Sequence, residues 1–403
     1  MPVTTHPVYS RQAASHLLPG LVSPFTWSIL GQAAERAVRS AYASLGHGLP
    51  AAHPIWRRHL GRAYVNRPAL EIAELALFRA TEESSSLGQR LLGGGPSRQQ
   101  GAAMRQVLEE APGQFDAIER WWQTVNAMEW RQATILQIME EIEPRAQAVL
   151  TTCMKLELGL RANRQLLAGW LPAGPGTLQA ELFAGLDGDP GSAGYRLALA
   201  GLAQEEHQGP ATAALDWREA WPDGEFGQLL RSFVERYGRW GPVPLEAASP
   251  RWREAPGELF AHLASLDAGS RDALAPGPEG AVQRRSAAAA EASRRLGLLR
   301  RRQFKALFEQ LQRQAALLED CRGTLVTVVD AARYWALGAA GEATADGRLA
   351  STDQVFLLEL EELKQMMTGE WSSPEQVRPI VLARGEQQAK WQAQQPPAEF
   401  QGE

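Results

Sequence analysis

Apolar residues recur along this chain at intervals of three, four or seven, the spacing that places them on one face of an α-helix. One such run starts at Phe115 and predicts a long amphipathic helix that ends at Pro144, because proline does not continue a helix. Two further helical faces are predicted over residues 304–318 and 325–335. The apolar positions of the first run are Ile118, Trp122, Val125, Met128, Ile135, Ile138, Met139 and Ile142.

Alternating apolar and polar positions, the pattern of a half-buried strand, are almost absent. The short segment "QVFLL" at 354–358 is an exception, and it predicts a strand. The pattern as a whole therefore predicts a mainly α fold. We expect a multi-helix domain with few short strands.

Segments rich in glycine and proline interrupt the helical pattern and predict the division of the chain. They lie at 91–101, 171–176, 188–194 and 272–283, and the last is the best linker candidate because an arginine- and alanine-rich helical segment follows it. We expect two or three packed helical subdomains. The predicted segments are residues 1–170, 171–283 and 284–395, with a disordered tail at 396–403.

Composition narrows the class of protein. A chain of 403 residues exceeds the usual size of a single core, and 44% hydrophobic with 22% charged residues is typical of a soluble globular protein. The formal charge of −5 gives no general attraction to nucleic acid or to an anionic membrane, so no nucleic-acid partner is expected. Two cysteines are too few for a disulfide framework and favour a reducing compartment.

Targeting signals are not apparent in the sequence. The N-terminal stretch has no basic region followed by an apolar core, so no secretory signal is predicted. No apolar run approaches the roughly 18 residues that span a bilayer, so no transmembrane segment is expected. We therefore expect a cytoplasmic protein.

The common motifs of nucleotide, metal and redox chemistry are also missing. The sequence has no GxxxxGK[ST] loop, no GxGxxG after a strand, no HExxH and no CxxC. Neither "EEH" at 205–207 nor the trio His47, His53 and His59 has the spacing that brings ligands together on one helix face, so no metal and no cofactor are expected. The basic stripe over residues 294–305 is interpreted as solvated surface rather than a phosphate site.

Several segments resemble one enzyme family in the same order. "LLPGLVSPFTWSILG" (17–31) resembles the "NVGEALPGPVTPLTWS" segment of the rifampicin phosphotransferase and phosphoenolpyruvate synthase-like family of PEP-utilising enzymes. "FVERYGRWGPVPLEAASPRWREAP" (233–256) is similar to its "FLxRYGHRGPGExxLxSPRWREDP" signature. Three more segments match: 61–70, 294–312 and 346–363. The C-terminal segment 382–400 also resembles the family's terminal basic helix, which a Pro-Pro pair follows.

This resemblance implies that the chain corresponds to one domain of a multidomain enzyme. In the family, an ATP-grasp part makes a phosphoryl group available, a swivelling domain carries it on a histidine, and a central helical domain holds the acceptor. The 403 residues resemble only that central domain, since no ATP-grasp stretch and no "GGxxSHxAIxAR"-like segment is recognisable. Phosphoryl transfer needs a nucleotide site and positive clamps on the transferring group, so the chain alone is not expected to catalyse it.

Departures from the family motifs point the same way. Where the family has the His and Arg of "RYGHRGP", this chain has Arg239 and Trp240, and Pro244 replaces the acid of "GPGE". Arg322 aligns with an arginine that suits a phosphate clamp, but Val326 stands at the position of its lysine partner. These exchanges remove titratable groups and add apolar surface, which weakens both acid–base chemistry and phosphate clamping. No catalytic residue is therefore predicted.

The PGLVSPFTWS loop is predicted to form one wall of an acceptor pocket. Its serines, Thr26 and the indole of Trp27 give the mixture of apolar surface and orienting polar groups found in ligand pockets. The alternative is that Trp27 only packs between two helices. The ligand-pocket candidates are Ser23, Thr26, Trp27, Arg236, Tyr237, Arg239, Trp240 and Arg322.

Two functional hypotheses remain open from the sequence. In the first, the chain is a non-catalytic helical binding or scaffold protein, a pseudoenzyme that binds a small apolar or aromatic ligand. In the second, it is the acceptor-binding subunit of a split ATP-dependent phosphotransferase of the dikinase type. Its partner would then be a separate ATP-grasp and phosphohistidine protein.

Overall fold

The computed structural model describes residues 6–12, 14–74, 98–129, 131–171, 177–183, 193–208, 224–265 and 277–402. Its four strands are β1 (Val8–Ser10), β2 (Trp56–His59), β3 (Arg62–Asn66) and β4 (Glu399–Gln401). Its α-helices include α1 (Pro24–Ser44), α2 (Arg98–Asn126), α3 (Gln132–Ala168), α4 (Leu178–Phe183), α5 (Ala193–Gln208), α6 (Glu225–Tyr237), α7 (Pro256–Ser265), α8 (Gly277–Arg295), α9 (Leu298–Ala345), α10 (Leu360–Thr368) and α11 (Pro374–Ala393). The predicted mainly α fold is confirmed.

The longest helices form the centre of the molecule. Helix α9 packs along α3 and α2, and α1 packs against α3. Buried residues from helices in all three predicted segments belong to one hydrophobic cluster. No helix of the described residues is long and apolar enough to cross a membrane.

The helix boundaries around Pro144 differ from the sequence prediction. The predicted single helix is two helices, because α2 ends at Asn126 and α3 begins at Gln132, and Pro144 lies inside α3. Burial of Ile142 and Ala146 on either side of the proline holds the helix together across the missing amide hydrogen bond. The run also included Met128, which is exposed between the two helices.

Other boundaries also need correction. The two faces predicted over 304–318 and 325–335 belong to the single helix α9. The segment "QVFLL" is not a strand, because residues Thr352–Leu357 form a 3₁₀ helix that buries Val355 and Phe356. Much of each predicted Gly/Pro break lies outside the described residues, and the subdomain division stays a prediction.

The four strands form one antiparallel sheet in the order β2-β3-β1-β4. Strand β4 comes from the tail that was predicted to be disordered, so that prediction is wrong. Phe400 stacks on Tyr9 and on His59 with ring centroids 5.2 and 4.2 Å apart, and these contacts fix the tail on the sheet.

The two cysteines meet at the contact between the central helices. Cys153 of α3 and Cys321 of α9 form a disulfide that joins the two central helices across 168 residues of sequence. The sequence could not show this pairing, because the two residues meet only when α3 and α9 pack together.

Candidate functional site

A cleft of about 550 Å³ opens where three elements meet. One wall is α2 from Pro112 to Glu119, and the opposite wall is α9 from Leu317 to Thr327. The third side is the end of α6 with the loop after it, and it supplies four of the predicted pocket residues, Arg236, Tyr237, Arg239 and Trp240. The RYGRWGP motif therefore lines a cavity of the size that holds a small ligand.

The loop after α6 is held in shape by its own backbone. The carbonyl oxygen of Trp240 accepts from the backbone amide of Trp252, and the carbonyl oxygen of Gly238 accepts from that of Arg253. The segment therefore folds back on itself. A Cβ atom at Gly241 would collide with the carbonyl oxygen of Pro250, which explains a glycine at this position.

The aromatic residues of the motif are packed rather than free. Trp240 is only 3% exposed, and Tyr195 of α5 stacks on its ring with centroids 4.5 Å apart. The Tyr237 ring meets the Trp240 ring edge to face, and the Tyr237 hydroxyl donates to Glu319 at 2.8 Å. Burial and the nearby Glu319 carboxylate raise the pKa of Tyr237 above its ordinary value. Tyr237 is therefore a hydrogen-bonding wall residue that stays protonated.

Arg239 is engaged on every side. Its guanidinium donates to both carboxylate oxygens of Glu119 at 2.6 and 2.9 Å and to the hydroxyl of Thr327 at 3.2 Å. It also lies 3.7 Å from the centroid of the Trp122 ring, a cation–π contact. The hydrogen bond from Arg239 lowers the pKa of Glu119 below its ordinary value. A pair of this geometry is a fixed part of the wall.

Arg236 is the more open of the two cleft arginines. Its side chain is largely exposed and lies 3.8 Å from the Glu319 carboxylate. Glu319 also accepts from the backbone amide of Gly194, which ties α5 to α9. Next to it, partial burial and the Glu319 charge raise the pKa of Asp320.

The cleft is acidic. Its lining contains five carboxylates and two guanidinium groups, a formal charge of −3. The carboxylates are Asp116, Glu119, Glu235, Glu319 and Asp320. A cavity with this balance repels phosphate and attracts a positively charged group.

A buried ion network supports the cleft from behind. Asp330 of α9 is 1% exposed and accepts from the Trp122 indole at 3.1 Å and from Arg253 at 2.8 Å. The buried Arg251 lies 3.8 Å from the same carboxylate, and its pKa is lowered to about 10 by burial. Arg333 of α9 pairs with Glu254 at 2.9 Å. The SPRWRE segment is thereby fixed to α9.

The PGLVSPFTWS loop does not line this cleft. Ser23 is the N-cap of α1, and its hydroxyl accepts from the amide of Thr26. The hydroxyls of Ser23 and Thr26 donate to one carboxylate oxygen of the buried Glu246, at 2.6 and 2.7 Å. The backbone amide of Ser23 donates to the other carboxylate oxygen at 2.9 Å. Glu246 thus joins this loop to the loop of the RYGRWGP motif, and Ser23 and Thr26 have a positioning role.

Trp27 lies elsewhere on α1. Its indole lies flat over Gly31, where a Cβ atom would come within 2.8 Å of the ring. It borders a shallow depression together with Glu35, Arg36 and Trp56, and it packs partly against the core. The structure therefore places it away from the cleft.

Arg322 faces a second cavity, on another side of α9. This cavity has a volume of about 380 Å³ and is also bordered by Cys153 and His16. Arg322 is buried and donates to the carbonyl oxygen of His16 at 2.7 Å. The eight predicted residues thus lie in four different places. Four of them, from the RYGRWGP motif, line the main cleft, and Arg322 faces the second cavity. Trp27 borders the depression on α1, and Ser23 and Thr26 bind Glu246.

Within the described ranges, no three histidine, cysteine, aspartate or glutamate residues are placed to hold a metal ion. The side chains of Glu205 and His207 lie outside the described part of the molecule. The His59 ring stacks on Phe400 and meets the Tyr64 ring edge to face.

The middle of the chain is similar to a known family. Residues 147–319 match the family model described as "Rifampicin phosphotransferase fourth domain". The resemblance to the rifampicin phosphotransferase family is confirmed over these residues. No curated protein matches the chain.

The rifampicin phosphotransferase-like region contains much of the cleft. It covers the RYGRWGP motif, most of α3 and the first half of α9 up to Glu319. Sequence reasoning found the motif but missed the acids opposite it, Glu119 and Glu319. Nothing in their local sequence marks them, because they approach the motif only through the packing of α2 and α9 against α6.

Proposed function

We propose that this chain is a non-catalytic helical binding or scaffold protein, derived from the acceptor domain of a PEP-utilising phosphotransferase. Its ligand site is the cleft lined by the RYGRWGP motif. The ligand is a small molecule with an apolar or aromatic part and a positively charged group. The chain is a pseudoenzyme that retains the substrate-binding scaffold.

The observation that carries this proposal is the pairing of Arg239 with Glu119. A phosphoryl clamp needs a cation that is free to meet the transferring group. The guanidinium of Arg239 instead donates to both oxygens of one carboxylate and to Thr327. Arginine also stays protonated near neutral pH and is no general base.

The charge balance supports the nature of the ligand. Within the described residues, the side chains of Asp116, Glu235 and Asp320 make no hydrogen bond or ion pair, although all three line the cleft. A cationic ligand would supply the missing positive charge, whereas a phosphate would add to the negative one. Phe115 contributes apolar surface on the α2 side.

A second candidate function follows from the family match. The matched family model describes a fourth domain, so proteins of that family have further domains. A chain related to one such domain fits the acceptor-binding subunit of a split phosphotransferase, with the ATP-grasp and phosphohistidine parts on another protein. In that case the cleft would hold the acceptor, and the partner would supply the phosphoryl group.

The experiment is purification of the tagged protein from its native host, with bound small molecules and proteins identified by native mass spectrometry. Asp320→Lys reverses a charge in the lining of the cleft. The control is Asp353→Lys, which makes the same charge reversal in the 3₁₀ helix, outside the cleft. Wild type and Asp353→Lys should carry a cationic small molecule that Asp320→Lys loses. An ATP-grasp protein in the same preparations, with ATP-dependent phosphorylation of the ligand, would support the second candidate instead. No bound small molecule in any preparation would contradict both.

A cytoplasmic location is part of the proposal. It is expected from the sequence, but reducing compartments keep thiols reduced, and the structure pairs Cys153 with Cys321. Acid quenching of intact cells followed by thiol alkylation under denaturing conditions tests the location. Alkylated cysteines would support the cytoplasm, and a fully protected pair would contradict it.

A further inference from the structure

An exposed corner joins helices α8 and α9, and we refer to residues 294–305 as the basic corner. Leu298 and Leu299 lie at its tip and are 82% and 74% exposed, the two highest values among the exposed large hydrophobic residues. Gly297 and Arg300 on either side are exposed as well. Single exposed apolar residues are common on protein surfaces, but adjacent ones rimmed by charged residues are typical of a contact surface.

Cations surround the leucines. Arg294 and Arg295 precede them, and both pair with Glu291 of α8. Arg300, Arg302 and Lys305 follow; all three are exposed, and no ion pair engages them within the described residues. Arg301 alone is turned inward, since it donates to the carbonyl oxygen of Ser293 at 2.7 Å and closes the corner. The result is an apolar tip with a local excess of positive charge on a protein whose formal charge is −5.

We propose that the basic corner binds the surface of an anionic lipid bilayer, with Leu298 and Leu299 inserted at the interface and the cations on the headgroups. The charge of the corner is complementary to acidic lipids, although the molecule as a whole is acidic. The corner thereby attaches the ligand-binding domain to a membrane surface. This role is independent of the ligand in the cleft.

The arrangement of the leucines favours a bilayer over a protein groove. A helix that docks in a groove presents apolar residues at i, i+3, i+4 and i+7. The positions three and four residues after Leu298 are Arg301 and Arg302, so the apolar surface ends after one turn. Two adjacent leucines flanked in sequence by exposed cations suit shallow insertion into a lipid interface, where the charged groups remain at the headgroups.

The test is co-flotation of the full chain with vesicles of phosphatidylcholine, with and without phosphatidylserine. We expect flotation only with phosphatidylserine, and its reversal by added salt. Leu298→Ser with Leu299→Ser should abolish it. Neutralising Arg300, Arg302 and Lys305 to glutamine should weaken binding by about fivefold per charge, the effect of about 1 kcal/mol for each cation near an anionic surface.

The control variant is Leu382→Ser, which removes another exposed leucine, 63% exposed on α11, from outside the corner. It should float like wild type. Equal flotation of wild type and the double-leucine variant would overturn the proposal, as would equal binding to neutral vesicles. Capture of an acidic protein or a nucleic acid through the same leucines, without vesicle binding, would also overturn it. Circular dichroism of each variant verifies folding.

Discussion

At the residue scale, single carboxylates organise the molecule from inside. Glu246 accepts from both hydroxyls of the Ser23–Thr26 cap, and Asp330 holds the indole of Trp122 and two arginines. Each connects segments far apart in sequence, and Ser23 and Glu246 have a sequence separation of 223. Buried charges of this kind are costly unless fully partnered, which explains their dense hydrogen bonding.

The first prediction concerns Asp330. Asp330→Asn should lower the free energy of unfolding by about 3–5 kcal/mol, because it leaves the buried Arg251 without its counter-charge. Asp346→Asn is the control, since the Asp346 side chain is half exposed and, among the described residues, forms its ion pair with Arg348. It should cost about 1 kcal/mol or less. Urea denaturation measures both, and equal losses would contradict the role of the buried network.

The second prediction compares two tryptophans. Trp240→Ala should cost about 3–5 kcal/mol of stability, because it empties a fully packed site against Tyr195. Trp27→Ala should cost less, since part of the Trp27 indole borders an open depression. Chemical denaturation of both variants in parallel decides the order. A larger loss for Trp27→Ala would show that its ring is the more important core contact.

At the scale of elements, apolar periodicity predicted helices better than it predicted where they end. The face of residues 304–318 is correct, but its separation from 325–335 is not, because α9 continues through Gly323. Pro144 was expected to end a helix, and packing of its neighbours overrides that local preference. The strand β4 depends on partners almost 400 residues away in β1, so the sequence around it carried no signal.

The third prediction concerns the disulfide between α3 and α9. Reducing it should lower the free energy of unfolding by about 2–5 kcal/mol, because the unfolded chain regains the freedom of a long loop. The measurement is urea denaturation with and without reductant, for wild type and for Cys153→Ser with Cys321→Ser. The double variant should be insensitive to reductant. A wild type that is equally insensitive would contradict the pairing.

At the scale of the whole molecule, the candidate site was only half predictable. The RYGRWGP motif pointed to a loop that lines the cleft, because its departures from the family signature lie in one short segment. The charge of the cleft could not be foreseen, since Asp116 and Glu119 lie more than 100 residues before that loop and Glu319 and Asp320 about 80 after it. Only the packing of α2 and α9 around the end of α6 brings them together.

The central claim is that this rifampicin phosphotransferase-like chain binds a ligand in an acidic cleft and has no phosphoryl clamp. Isothermal titration with Mg-ATP tests it most directly, with Arg239→Gln as the matched variant. We predict no measurable binding and no hydrolysis by either protein, because Arg239 is held by Glu119 and the cleft repels phosphate. Micromolar binding of Mg-ATP by wild type that is lost in Arg239→Gln would contradict the account.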